Sequence, residues 1–165
     1  MGCYRKEEKR SDGSDALSLE ERVQRLEDRQ AVEAVLVSYA RQVDARDAEG
    51  VAELFTGDGQ LQVPGASPLV GRARIAKVYG RLLGALRSST HVVSNFEVAF
   101  TASDCAAVTC VLWAWEGFDG SLHFGGAGNR FSFGRYAAQL VREGDGRWRM
   151  ASLTISFAGQ EGGAE

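Results

Sequence analysis

The sequence predicts an α+β domain in which helices come first and a mostly antiparallel sheet follows. Apolar residues recur at helical spacing in the first half of the chain, whereas the second half contains long β-rich segments separated by turn sequences. This order differs from the regular alternation of strands and helices that produces a parallel sheet. With 165 residues, the chain has the usual length of one domain and can bury a substantial core.

Three helices follow from the apolar pattern. The first begins at a capping box formed by Ser18 and Glu21, and its apolar stripe continues through Tyr39. We expect a short second helix over about residues 48–55 and a third over about residues 72–87. All three therefore precede the long strands.

The main strands are expected to be long and antiparallel to one another. Their predicted ranges are residues 91–100, 105–118, 130–143 and 147–158. A shorter strand is expected at residues 60–63, between a glycine-rich turn at 57–59 and a loop at 64–69.

Apolar residues occupy both faces of the predicted strands. Within 105–118, Trp113 and Trp115 point to one side of the sheet, and Leu112 and Ala114 point to the other. A sheet with one face in water would alternate apolar and polar residues. We therefore expect helices to cover one face and a second copy of the chain to cover the other, which makes a homodimer.

Residues 1–16 are polar and predict a disordered leader, residues 17–158 a single domain, and residues 159–165 a flexible tail.

Composition restricts the partners and the compartment. The net charge of -3 disfavours a nucleic-acid partner, and no apolar run reaches the length of a membrane span. Three cysteines without a disulfide framework suit a reducing compartment, so we expect a cytoplasmic protein.

Six short motifs, in the correct order, resemble the SnoaL-like proteins of the nuclear transport factor 2-like superfamily. They are the runs at residues 35–44, 54–59, 71–75, 90–95, 134–136 and 146–150. Together they extend the resemblance over about residues 25–157. It implies a cone-shaped fold in which helices pack on a curved sheet and enclose a deep pocket, commonly within a homodimer.

The resemblance implies several activities, so the fold alone does not decide the function. The family includes polyketide cyclases, scytalone dehydratase, bile-acid dehydratase, ketosteroid isomerase and limonene epoxide hydrolase, together with non-catalytic subunits and binding modules. The last two enzymes are disfavoured, because residues 61–64 and 137–139 lack the expected carboxylates and residues 108–115 carry no charge.

Three residues are candidates for catalysis. Asp44 borders the buried face at the end of the first helix and is either a solvated carboxylate or a functional one. His91 opens a strand and is either a core histidine or, as the resemblance implies, a proton-transfer group that a nearby carboxylate would orient. Tyr39 either bonds a backbone carbonyl in the core or donates to a substrate oxygen.

The pocket is expected to bind substrate through further residues of the helices and strands. They are Asn95, Leu54, Val63, Tyr79, Val93, Trp113, Phe131 and Tyr136. His123 stands in a glycine-rich connection at 120–129, which is either an exposed loop or a lid over the pocket. No metal or cofactor is predicted, because the histidines and carboxylates lack ligand spacing and the glycines lack the context of a phosphate loop.

The leading hypothesis is a cofactor-independent lyase or isomerase of the dehydratase or cyclase type. Its substrate would be a small apolar hydroxylated molecule, polyketide-like or terpenoid-like, in natural-product biosynthesis. His91, oriented by Asp44, would move a proton while Tyr39 stabilises an oxygen. The alternative is an accessory subunit or a carrier of a hydrophobic ligand, in which Asp44 and His91 need not meet.

Overall fold

A computed structural model describes residues 17–118 and 128–162 of the chain. The leader at 1–16, His123 and nearly all of the glycine-rich connection lie outside these described residues. Within them, three helices pack on one curved, mixed sheet of six strands, which confirms the predicted α+β fold.

The helices begin and end close to their predicted limits. Helix α1 spans Leu19–Ala45, α2 spans Ala48–Glu53 and α3 spans Arg72–Ala85. The capping box at the start of α1 is present, because the Glu21 N–H donates to Ser18 Oγ and the Ser18 N–H donates to Glu21 Oε2. No helix in the described ranges combines the length and the apolar character that a membrane span requires.

The sheet places four long strands side by side in chain order. The strands are β1 (Phe55–Gln62), β2 (Leu69–Val70), β3 (Ser88–Ala102), β4 (Cys105–Gly117), β5 (Asn129–Arg142) and β6 (Trp148–Gly162). Their order across the sheet is β2-β1-β6-β5-β4-β3. Among the strands that the structure describes, only β1 and β6 pair in parallel, so the expectation of a mostly antiparallel sheet is confirmed.

Three strand limits differ from the prediction. Residues 57–59 form part of β1 rather than a turn, since β1 and β6 pair through a register shift between Phe55 and Gln60. A Cβ on Gly59 would lie 2.9 Å from the Met150 carbonyl oxygen, which explains the glycine there. The predicted loop at 64–69 is present except for its last residue, Leu69, which begins β2. Strand β6 pairs with β5 as far as Gly162, beyond the expected start of the tail.

The two faces of the sheet differ in burial. The inner face packs against α1 and the other helices, and Leu112 of β4 and Tyr136 of β5 are almost fully buried there. On the outer face, Trp113 is 45% exposed and stacks on Phe133, with ring centroids 5.5 Å apart. Phe131 contacts the same tryptophan at 5.5 Å. The prediction that Trp113 and Phe131 line the pocket is therefore wrong, because alternation along the strands directs both side chains outward.

Pairing of two chains through this outer aromatic face stays a prediction, and substitution of Trp113 tests it. We expect micromolar wild-type protein to sediment as a dimer and Trp113→Lys to sediment as a monomer, because an ammonium buried in the interface costs several kcal/mol. Val70→Lys changes an exposed apolar residue of β2 and serves as the control. A wild-type monomer, or a dimer that is unaffected by Trp113→Lys, would contradict the prediction.

Candidate active site

A cavity of about 320 Å³ lies between the inner sheet face and the helices. This volume is sufficient for a small organic molecule. Most of its wall is apolar, and the residues with polar side chains are few. They are Tyr39, Tyr79, Arg81, His91, Glu116, Arg130, Ser132 and Tyr136.

Asp44 and His91 meet directly at one side of this cavity. Asp44 occupies the last turn of α1, and His91 lies in β3, which packs against that helix. The His91 backbone N–H donates to Asp44 Oδ2 at 2.9 Å, and His91 Nδ1 lies 2.7 Å from Asp44 Oδ1. One carboxylate therefore holds both the backbone and the ring of the histidine.

The electrostatics of this pair determine which ring nitrogen is protonated. Burial disfavours ionisation of Asp44, but the hydrogen bonds from the ring and backbone of His91 outweigh burial and lower the pKa of the carboxyl. An ionised carboxylate can only accept hydrogen bonds, so His91 Nδ1 must donate to it. In the neutral ring Nε2 then carries the lone pair. The ring lines the cavity with its side chain 8% exposed, and Nε2 is thus suited to accept a proton there.

Tyr39 forms part of a buried group of three tyrosines. Its hydroxyl lies 2.5 Å from the Tyr79 hydroxyl, and its ring meets Tyr136 edge-on at 5.4 Å. The expected alternatives were a backbone carbonyl or a substrate oxygen, and the partner is instead a second phenol. Because one hydrogen bond uses one of the two phenolic protons, the other proton is available to an oxygen in the cavity.

Tyr39 and Asp44 reach the site from different directions along α1. Residues five apart on an ideal helix point about 140° away from each other. Tyr39 therefore projects into the cavity, whereas Asp44 contacts His91 at the end of the helix and does not itself line the cavity.

The other predicted pocket residues divide into two groups. Val63, Tyr79 and Tyr136 line the cavity as predicted. Leu54 and Val93 pack against the core outside it. Asn95 is also outside, because β3 shifts register between Ser94 and Glu97 and Asn95 adopts φ 55°, which turns it away from the regular alternation. These three assignments to the pocket wall are wrong.

Four polar residues of the cavity wall were not predicted from the sequence, namely Arg81, Glu116, Arg130 and Ser132. Arg130 donates through Nε to Glu116 Oε2 at 2.6 Å, directly across β4 and β5, and Ser132 follows two residues later on the same face. The signal was available, since Glu116 follows Leu112 and Ala114 at a period of two on an otherwise apolar face. No group of three possible metal ligands occurs within 17–118 and 128–162.

The chain belongs to the SnoaL-like domain family, whose model matches residues 24–154. It resembles the epoxide hydrolase LasB of Streptomyces lasalocidi, with 45% identity over 58 residues that make up 34% of this chain and 20% of that protein. The match thus spans about a fifth of the length of LasB.

Solved structures of other proteins share the nuclear transport factor 2-like fold. A proposed scytalone dehydratase from Novosphingobium aromaticivorans superposes with a TM-score of 0.76 at 19% identity, covering 87% of this chain and 93% of that one. Hexachlorocyclohexane dehydrochlorinase LinA-type3 from Novosphingobium barchaimii has a TM-score of 0.72 at 16% identity, covering 85% and 92%. At these identities the likeness establishes the fold alone.

Titration of the tyrosines tests whether their hydroxyls lie in a water-poor, apolar part of the cavity. Burial raises the pKa of Tyr79 to about 12 and raises the pKa of Tyr39 and Tyr136 as well. A tyrosine in the unfolded chain ionises at about pH 10, so the three buried tyrosines contribute fully to the stability of the fold below that pH. This contribution is lost as the pH rises toward about 12.

Ultraviolet titration should therefore show that at least three of the four tyrosines resist ionisation at pH 10–11 while the chain stays folded, whereas all four titrate together in guanidinium. Ionisation of the buried three at about pH 10 in protein that circular dichroism reports as folded would contradict the apolar environment of these tyrosines.

Proposed function

We propose that this protein is a cofactor-independent enzyme that moves a proton within a small apolar hydroxylated substrate. The direct contact between Asp44 and His91 beside a largely apolar cavity carries the proposal. A carrier needs an apolar cavity but has no use for a carboxylate that fixes the tautomer of a histidine at the cavity wall. The pair therefore favours catalysis over ligand storage.

The proposed chemistry begins at His91. Nε2 removes a proton from a carbon or a hydroxyl of the substrate, and Asp44 stabilises the imidazolium that results. The electron pair left on the substrate moves toward an oxygen, which accepts a hydrogen bond from the phenol pair of Tyr39 and Tyr79. The imidazolium then returns the proton, either to a leaving hydroxyl, which departs as water, or to another atom of the same molecule.

Dehydration, cyclisation and isomerisation share this first step and differ in where the proton and the electron pair go next. The apolar wall supports all three, since it excludes bulk water and holds the substrate near one shape. A polyketide-like or terpenoid-like substrate matches the size and character of the cavity. The names of the dehydratase, dehydrochlorinase and epoxide hydrolase relatives are consistent with an enzymatic role.

Opening of an epoxide is a second candidate, favoured by the similarity to LasB. In that reaction His91 would remove a proton from a substrate hydroxyl, which attacks the epoxide carbon. The phenol pair would donate a hydrogen bond to the oxygen of the breaking bond, and that oxygen would take its proton from the imidazolium. Glu116 lies in the cavity wall and gives this candidate a further carboxylate. The preceding part of its strand, from Val108 to Trp115, carries no charge.

Hydrogen exchange tests the proton transfer before the natural substrate is identified. We expect wild-type protein in heavy water to accelerate deuterium incorporation next to the carbonyl of β-tetralone, followed by NMR. His91→Ala should lower this acceleration by about 10²–10⁴-fold, the usual contribution of a general base. Asp44→Asn should also lower it, and the double variant should lose no more than His91→Ala alone, because the two groups act as a unit.

Asp47→Asn provides the matched control for the loss of a carboxylate. Asp47 caps α2 by accepting from the Gly50 N–H at 2.8 Å, and asparagine caps helices equally well. Its exchange rate should equal that of wild type. Normal exchange in folded His91→Ala protein, or no acceleration by wild type, would remove His91 from the mechanism.

A further inference from the structure

The Ser132 hydroxyl is buried against the cavity without a hydrogen-bond partner among the described residues. Ser132 is 1% exposed and forms part of the cavity wall. Buried polar groups in native proteins are nearly always hydrogen-bonded, because an unmet hydroxyl costs about 1–3 kcal/mol. Because Ser132 lies at the wall of the cavity, a molecule bound there can supply this partner.

The ion pair of Glu116 and Arg130 stands next to Ser132. Both Nε and Nη2 of Arg130 contact Glu116 Oε2, at 2.6 and 2.5 Å, and the Glu116 side chain is 13% exposed. Arg130 also lies over the Phe118 ring at 5.4 Å. The Arg130 side chain is 35% exposed, and a partly exposed ion pair contributes only about 0–1 kcal/mol to stability. Its position in an apolar cavity wall is therefore better explained by ligand binding than by stability.

The pairing of the strands shows how far Ser132, Glu116 and Arg130 lie from His91. His91 pairs with Ala114, and Ala114 pairs with Ser132, so two strand spacings, about 10 Å, separate the backbones of His91 and Ser132. Glu116 and Arg130 form the next inward-facing pair along β4 and β5. A ligand that reaches both places carries its reacting group at one end and a polar group at the other.

We propose that Ser132, Glu116 and Arg130 form a polar subsite that binds a remote hydroxyl group of the substrate. A hydroxyl can donate to the Glu116 carboxylate and accept from Ser132, which satisfies both. An ether or a ketone could accept from Ser132 but could not donate to Glu116. The inference rests on the proposed function in one respect, namely that the substrate occupies this same cavity.

Binding of three related probes tests the subsite without any turnover. They are β-naphthol, the naphthalenediol with hydroxyls at opposite ends of the ring system, and the monomethyl ether of that diol. Wild-type protein should bind the diol about tenfold more tightly than the other two, the value of one hydrogen bond to a charged group. Probe fluorescence or calorimetry measures the three dissociation constants.

Two variants test whether Ser132 and Glu116 cause the preference for the diol. Ser132→Ala and Glu116→Gln should each lower the affinity for the diol to about that of its ether, while the affinity for β-naphthol changes less than about twofold. Ser156→Ala removes an exposed serine of β6 that does not line the cavity and should keep the full preference. Thermal unfolding establishes that each variant is folded.

The outcomes separate this inference from the proposed function. A diol preference that is absent in wild type, or that survives in both variants, overturns the subsite even when β-tetralone exchange is normal. A diol preference that both variants abolish supports the subsite, and it does so even when exchange fails and the proton transfer is rejected.

Discussion

The contact between Asp44 and His91 is the interaction on which the rest of the site depends. It joins the last turn of α1 to β3 through two hydrogen bonds to one carboxylate, at 2.9 and 2.7 Å. The bond to the backbone fixes where β3 lies relative to the helix, and the bond to the ring fixes which nitrogen is left for the cavity. Packing and proposed chemistry thus share one pair of residues, so a change at Asp44 affects both.

The apolar wall of the cavity gives this pair its proposed reactivity. Hydrogen bonds and charges act more strongly where water is excluded, and the same exclusion keeps the phenols of Tyr39 and Tyr79 protonated, as the raised pKa of each shows. The site therefore combines a proton acceptor at His91 with a proton donor on α1 and α3. Glu116 and Arg130 compensate each other's charge, which limits the charge that these two residues introduce into the wall.

The fold could be predicted because its signals are local, whereas the site depends on contacts between distant segments. The capping box and apolar stripe of α1 need no tertiary information. Only the family resemblance suggested that Asp44 reaches His91, 47 residues away. Trp113 was assigned to the pocket although it alternates with Leu112 along the strand and therefore points to the opposite face. Glu116 was not predicted because the strand before it is almost uniformly apolar. The residues at 57–59 look like a turn until β6 is available to pair with them.

The tautomer of His91 tests the central claim most directly. Nitrogen NMR of histidine-labelled protein in mildly alkaline solution distinguishes the two neutral forms, and His91→Ala assigns the signal among the two histidines of the chain. The account predicts a protonated Nδ1 and an unprotonated Nε2 in wild type, with this preference lost in Asp44→Asn. A protonated Nε2 beside an unprotonated Nδ1 would contradict it, because the ring could then neither donate to Asp44 nor accept a proton from the cavity.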